Sequence, residues 1–282
     1  MRLSTLPGRV IRTAWDSIRL FSRAQGLSWG GAVGLYLFLS VPPLMVASSL
    51  LLQLFTSKFA AEDFVLDQAV KFVPARIDLL TGVFAGNTGG SIAVALVSLG
   101  FLLFSGSRAF AALSSAVNVM WRQSDKVDFW ERQLMRIWML GAAFGLLLVA
   151  VLADAGIGAV LGGDSGSGQA WLIEWQIIPT LLLGAFLFVA YKTLPQDEVP
   201  WEHAAIGALL ATIGVRIAQA VMGLMSEAGS FETPYGTLAG VALMATWALV
   251  VGVAVLFGAT TVAVLGGRLD ELDEEGSDRL EG

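Results

Sequence analysis

The first long apolar stretch of this chain runs from Leu27 to Phe55, 29 residues in which no side chain carries a charge. A helix rises about 1.5 Å per residue, so one of this length exceeds the roughly 30 Å hydrocarbon core of a bilayer. The stretch therefore predicts a membrane-spanning helix, the first of the chain.

Two prolines, Pro42 and Pro43, interrupt this run. Neither has a backbone N–H, and Pro42 disfavours the α conformation at Val41. We therefore expect the first spanning helix to be broken at Pro42-Pro43, near mid-depth. Unpaired backbone at that depth is tolerated only inside a protein bundle or beside a wet cavity. Two interpretations meet that condition: a packing kink shielded by neighbouring helices, or a substrate or ion site that includes Ser40.

The composition agrees with a membrane protein. Hydrophobic residues make up 56% of the chain and charged residues only 14%, whereas a soluble domain carries about 25% charged residues. We therefore predict an all-α, polytopic membrane protein. The chain has no cysteine and one histidine, His203, so neither a thiolate nor a histidine-cluster metal site is expected, and no cofactor is predicted.

Apolar segments and loop charges together predict the topology. Six transmembrane helices are expected in a domain covering residues 27–265, with spans at about 27–55, 91–120, 137–161, 176–191, 201–225 and 236–265. Twelve Lys and Arg residues lie in the terminal segments and the loops on their side, against three on the other side. Because basic residues are retained in the cytoplasm, both termini are predicted to be cytoplasmic.

The two termini differ in character. In residues 1–26 an apolar stripe lies beside arginines, which predicts an amphipathic helix on the membrane surface or a cytosolic cap on the bundle. Residues 266–282 contain seven acids and two arginines and are predicted to be a disordered cytoplasmic tail. The rest of the chain is nearly neutral, which disfavours nucleic acid as a partner. The apolar stripe consists of Ile11, Ala14, Trp15, Ile18 and Phe21.

A polar stripe marks the fifth span. Thr212, Arg216, Gln219 and Gly223 are four, three and four residues apart, so they share one helix face. An arginine at mid-membrane costs at least about 2.5–3.5 kcal/mol on insertion scales. Arg216 is therefore expected to face the interior, either as a functional residue or as a structural clamp on the Ser40–Pro43 backbone. Asp154 is a candidate ion-pair partner.

Small residues recur in the second span, and Arg108 is the exception on their stripe because it needs a partner or water. Gly30 with Gly34, and Gly236 with Gly240, have the spacing that allows membrane helices to approach closely. The predicted role of these patterns is packing. The stripe of the second span consists of Ser91, Ser98, Ser105, Arg108, Ala112 and Ser115.

Enzymatic motifs are missing from the sequence. It contains no nucleophile elbow, no phosphate-binding glycine loop followed by Lys and Ser/Thr, and no carboxylate pair spaced for one helix face. We therefore predict a protein that is not an enzyme, and a membrane-associated ribonuclease is the least favoured alternative.

Several segments resemble the YihY/BrkB family of bacterial inner-membrane proteins, which is often labelled ribonuclease BN. Their order and spacing are more specific than any one of them, and they span roughly residues 15–268. The family commonly has an acid after the final Gly-Ala pair, where this chain has Thr260. The segments are Ser40-Val41-Pro42-Pro43, Ala116-Val117-Asn118-Val119-Met120-Trp121, Leu194-Pro195 with Val199-Pro200-Trp201 and Gly207, Tyr235-Gly236-Thr237-Leu238-Ala239-Gly240, Trp247, and Gly258-Ala259.

The resemblance implies a multi-pass protein of the bacterial cytoplasmic (inner) membrane, with six transmembrane helices and cytoplasmic termini. It also implies roles in the envelope, serum resistance, transport or lipid export. Our leading hypothesis is a transporter or envelope-maintenance factor that moves or binds a lipid or small anionic solute between the first helix and Arg216. The alternative is a scaffolding protein that docks protein partners through its termini. Membrane lipids are the expected partners in the first case.

Overall fold

The computed structural model describes residues 6–53, 62–63, 65–66, 92–121, 134, 138, 141, 170–195, 198–230 and 232–267. The third span with Asp154, most of the loop between the first two spans, and the acidic tail lie outside the described residues. All regular structure within the described ranges is helical. The helices are α1 (Leu6–Arg23), α2 (Gly26–Leu52), α3 (Ile92–Met120), α4 (Ala170–Thr193), α5 (Trp201–Glu227), the single turn α6 (Glu232–Tyr235), a 3-10 turn (Gly236–Leu238) and α7 (Ala239–Leu265).

Four of the described helices are long and apolar enough to cross a membrane. They coincide with the predicted first, second, fifth and sixth spans, and α4 contains the predicted fourth. The all-helical class is therefore confirmed for the described residues, while the count of six spans and the orientation of the termini stay predictions. The four segments are Gly26–Leu50, Gly100–Met120, Trp201–Ser226 and Ala239–Leu265.

The first span is continuous. Helix α2 runs from Gly26 to Leu52 with Pro42 and Pro43 inside it, so the predicted break at this pair was wrong. Pro43 is buried and Pro42 half-buried against neighbouring helices. Packing of this kind offsets the two lost helical hydrogen bonds, which is how spanning helices tolerate proline.

Helix α7 lies at the centre of the bundle and packs against α1, α2, α3 and α5. Its contact with α2 is a glycine crossing, as the Gly30 and Gly34 spacing predicted. A Cβ at Gly34 would lie 2.6 Å from the carbonyl oxygen of Ala248, and one at Gly252 would collide with the Gly30 carbonyl. Glycines on both helices therefore allow these two backbones to come into contact.

The second glycine pair behaves differently. Gly236 has a φ of 51° and begins the 3-10 turn ahead of α7, where an added Cβ would meet nothing within 4 Å. The packing role predicted for Gly236 with Gly240 was therefore wrong for Gly236. Its backbone conformation is one that L side chains rarely adopt, so it terminates the α6 turn instead. The last span begins at Ala239, three residues later than predicted.

Buried apolar side chains concentrate at one end of the bundle, where α3, α4 and α7 end and α2 and α5 begin. We call this the packed end; it contains Met120, Tyr191 and Val262, each at most 1% exposed. Its small residues, such as Ala204 and Ala263, let the helices approach closely. The packed end is therefore a close-packed apolar region of the described bundle.

Candidate functional site

The proline segment of α2 is joined to α3 by a pair of hydroxyl groups. The Ser40 hydroxyl donates to the carbonyl oxygen of Tyr36 at 2.7 Å, and a 3.1 Å hydrogen bond joins it to the hydroxyl of Ser105. Ser105 is 1% exposed. The Ser40–Ser105 pair thus places polar atoms inside the bundle, less than one helical turn from Pro42.

The glycine crossing between α2 and α7 also shows how far along α7 the proline segment lies. Gly30 lies against Val253 and Gly34 against Ala248, so α2 and α7 are antiparallel. Continuing that register at about 1.5 Å per residue places Pro42 and Pro43 beside the first turn of α7. The two prolines therefore lie close to the end of the bundle opposite the packed end, and not at the predicted mid-depth.

The polar stripe of α5 lies along its contact with α4. Arg216 is half-buried, and its Nη1 donates to Oε1 of Gln219 at 2.8 Å. Thr212 is buried and donates to the carbonyl oxygen of Ala208 at 2.7 Å. A Cβ at Gly184 of α4 would lie 3.4 Å from the Thr212 hydroxyl. Thr212 therefore faces α4, and Arg216 follows one turn further along the same stripe.

The proline segment and the α5 stripe lie on different flanks of α7. Helix α2 packs between α7 and α3, whereas α5 packs between α7 and α4. The hydrogen bonds given above each stay within one flank. The clamp between Arg216 and the Ser40–Pro43 backbone stays a prediction.

Arg108 points away from the described bundle. Its residue is exposed, and its guanidinium lies 5.6 Å from the centroid of the Phe104 ring in the same helix. The attraction between a cation and an aromatic face is favourable, so it offsets part of the cost of placing this charge in an apolar helix. Ser105 and Ala112, its neighbours on the predicted stripe, are buried.

The residues that carry the family resemblance lie in several parts of the bundle. Trp121 and Pro195 are buried at the packed end, and Gly266 packs against the Trp121 ring. Among the described residues, Asn118 Oδ1 and Trp247 Nε1 are buried atoms without a hydrogen-bond partner. Tyr235 is exposed at the end of α6.

Tyr191 is a structural residue that the sequence reasoning missed. Its side chain is 1% exposed, and its hydroxyl donates to the carbonyl oxygen of Val255 at 2.5 Å, joining α4 to α7. A Cβ at Gly258 would lie 2.8 Å from that hydroxyl. The sequence feature that could have identified it is a tyrosine at the end of an apolar span, in a chain with only three tyrosines.

Thr260 occupies the position at which the YihY/BrkB family, which this chain resembles, commonly has an acid. It is 0% exposed, and its hydroxyl lies 2.8 Å from the Leu256 carbonyl oxygen and 2.9 Å from the sulfur of Met120. A helix carbonyl satisfies a buried hydroxyl without any charged partner. Thr260 is therefore an uncharged part of the packed end.

Among the described residues, no group of three or more His, Cys, Asp or Glu side chains is placed to hold a metal ion. No solved structure matches the chain. Three relatives are UPF0761 membrane proteins. The one from Chromohalobacter salexigens is 27% identical over 92% of this chain, and the one from Rhodospirillum centenum is 22% identical over 97%. The relative from Tolumonas auensis is 26% identical over 80% of this chain and 76% of its own length.

The chain spans 64% and 63% of the length of the first two relatives, somewhat less than two thirds. None of the three names states an activity. The family model described as Virulence factor BrkB matches residues 17–281. That match covers nearly the whole chain and confirms the resemblance seen in its motifs: this membrane protein belongs to the Virulence factor BrkB family.

Proposed function

We propose that this chain binds and moves a lipid or a small anionic solute across the bacterial cytoplasmic (inner) membrane, without enzymatic chemistry. The observation that carries the proposal is Arg216, a half-buried arginine near the middle of a 27-residue apolar helix. Charged groups inside membrane spans are expensive, and they mark substrate or ion pathways. An arginine there attracts phosphate or carboxylate groups because its planar fork matches their geometry.

The neighbours of Arg216 support an anion site. Gln219 accepts a hydrogen bond from Nη1, which orients the guanidinium along the α5 stripe. A guanidinium stays protonated in proteins, so the stripe places a positive charge in a region of low dielectric constant, where attraction to an anion is strong.

The distribution of polar residues supports access from the end opposite the packed end. Arg216 lies nine residues beyond Gly207, about 13 Å along α5 from the crossing of that glycine with Gly258. The Ser40–Ser105 pair also lies on that side of the packed end. A solute entering there would meet these polar groups before it reached the packed end.

The test uses the full chain reconstituted in vesicles, with two arms that separate the two solute classes. One arm follows translocation of a fluorescent phosphatidylglycerol by dithionite reduction, and the other follows uptake of a labelled organic phosphate. In whichever arm the wild type shows transport, Arg216→Gln should lower the transport rate at least tenfold. Arg216→Lys is the matched control, because it keeps the charge and should retain more activity than Arg216→Gln.

The double variant Pro42→Ala/Pro43→Ala tests the α2 side of the same hypothesis. It restores two backbone donors within a helix that is already continuous, so it should insert and fold normally. Reduced transport in this variant would support a role of the proline segment in the pathway. Wild-type vesicles without transport in either arm, or Arg216→Gln vesicles with wild-type rates, would refute the proposal.

A further inference from the structure

One face of helix α1 is buried against the bundle and holds the helix in place. Ser17 and Leu20 are 0% and 3% exposed, and α1 packs against α7 and α2. The Phe21 and Phe257 rings meet edge-on with centroids 6.0 Å apart. One face of α1 therefore packs on the bundle, and the choice between a membrane-surface helix and a cytosolic cap depends on its other faces.

A second face of α1 is apolar yet faces away from the bundle. Ile11, Trp15 and Ile18 are 70%, 60% and 49% exposed, and their spacing of four and three residues places them in one stripe. Leu27 continues the exposed apolar surface at the start of α2. A soluble cap would place polar residues there, so this stripe needs an apolar environment.

A row of arginines borders the apolar stripe. Arg12, Arg19 and Arg23 are exposed and lie seven and four residues apart, on one edge of the helix. Arg12 lies 3.8 Å from Asp16, and its side chain is 82% exposed. At 100° per residue this row is about a quarter turn from the Ile11–Ile18 stripe. The two neighbouring faces are thus apolar and cationic.

The connection to α2 holds both faces close to the bilayer. Only Ala24 and Gln25 separate the two helices, and Gln25 has a φ of 54°, a conformation that reverses the chain direction in a short space. A Cβ at Gly26 would collide with the Phe21 ring, so glycine there permits the ring to pack over the turn. Helix α1 is therefore held where the first span enters the membrane.

We propose that α1 is an interfacial helix that binds anionic phospholipids: the Ile11, Trp15 and Ile18 stripe enters the leaflet, and Arg19 and Arg23 bind headgroup phosphates. Tryptophan at the boundary between apolar and polar regions suits the interface. Basic residues near a membrane surface favour anionic lipids. This inference does not depend on the proposed transport function, because no residue of the α5 stripe takes part in it.

The first experiment measures where the apolar stripe lies. The chain has no cysteine, so a spin label can be attached at a single Ile18→Cys residue in lipid nanodiscs. The label should collide more often with oxygen than with a water-soluble nickel chelate. A label at Ser230→Cys, in the exposed turn after α5, is the control and should show the opposite preference. Equal accessibilities at the two positions would refute membrane insertion of α1.

The same label distinguishes lipid from protein as the covering partner. If a second copy or another protein covered the stripe, the Ile18→Cys label would be immobilised in detergent as well, and the protein would migrate as an oligomer. That result would overturn the proposal. A mobile label in detergent that becomes lipid-exposed in nanodiscs supports it.

The second experiment tests the headgroup contacts. Native mass spectrometry of the purified chain with equal amounts of phosphatidylglycerol and phosphatidylcholine measures the ratio of bound lipids. Arg19→Gln/Arg23→Gln should lower the phosphatidylglycerol preference several-fold. Lys192→Gln removes another exposed cation at the packed end and should leave most of the preference. An unchanged preference in the double arginine variant would refute the headgroup assignment.

Discussion

Gly207 and Gly258 show how single residues set the geometry of the packed end. A Cβ at Gly258 would lie 2.6 Å from the Gly207 carbonyl oxygen and 2.7 Å from Cβ of Ala211. The backbones of α5 and α7 therefore touch where no side chain separates them. Both glycines carry the family resemblance, but the sequence did not show that they contact each other.

Substitution of one of these glycines should loosen the packed end. Gly258→Ala introduces a methyl group against backbone atoms that cannot rotate away, and overpacking of this kind costs about 1–3 kcal/mol. Thermal unfolding of the purified chain in detergent should occur at a lower temperature. Gly223→Ala is the control, since a Cβ at Gly223 meets nothing within 4 Å. Equal midpoints for the two variants would contradict the crossing.

Helix α2 illustrates how neighbours override a local signal. Its two prolines remove two donors, and the sequence predicted a break from that loss. The helix is continuous because Pro43 is buried and Ser40 bonds to both Tyr36 and Ser105. The contribution of α3 to this segment is therefore measurable.

A double-mutant cycle on Ser40 and Ser105 measures the bond between α2 and α3. Hydrogen bonds between membrane helices average about 0.6 kcal/mol and reach about 1.7 kcal/mol. We expect a coupling energy in this range from the unfolding free energies of Ser40→Ala, Ser105→Ala and the double variant. Additive effects of the two substitutions would show that the 3.1 Å contact contributes nothing to stability.

The whole molecule is asymmetric along its helices. The packed end is apolar and dense, whereas the Ser40–Ser105 pair and Arg216 lie beyond it. Charge counting predicts that the packed end faces the cytoplasm. In that orientation the Ser40–Ser105 pair and Arg216 would lie on the outer side of the packed end.

Cysteine labelling in intact cells tests this orientation. Ser230→Cys lies in the turn after α5, and Glu198→Cys lies in the exposed connection between α4 and α5. A membrane-impermeant maleimide should label position 230 directly and position 198 only after the cells are permeabilised. Because the chain has no native cysteine, any maleimide on the purified chain reports the introduced residue. Labelling in the reverse order would invert the topology.

The membrane class, the helical spans that the structure describes and the polar stripe of α5 could all be predicted from the amino-acid sequence. Each of these depends on length, hydropathy and spacing within one segment, which are local properties. Four features became visible only in the folded chain: the continuity of α2, the glycine crossings on α7, the Tyr191 bond to Val255 and the division of α1 into three faces. These features depend on which helix lies opposite each residue, and single-segment periodicity does not carry that information.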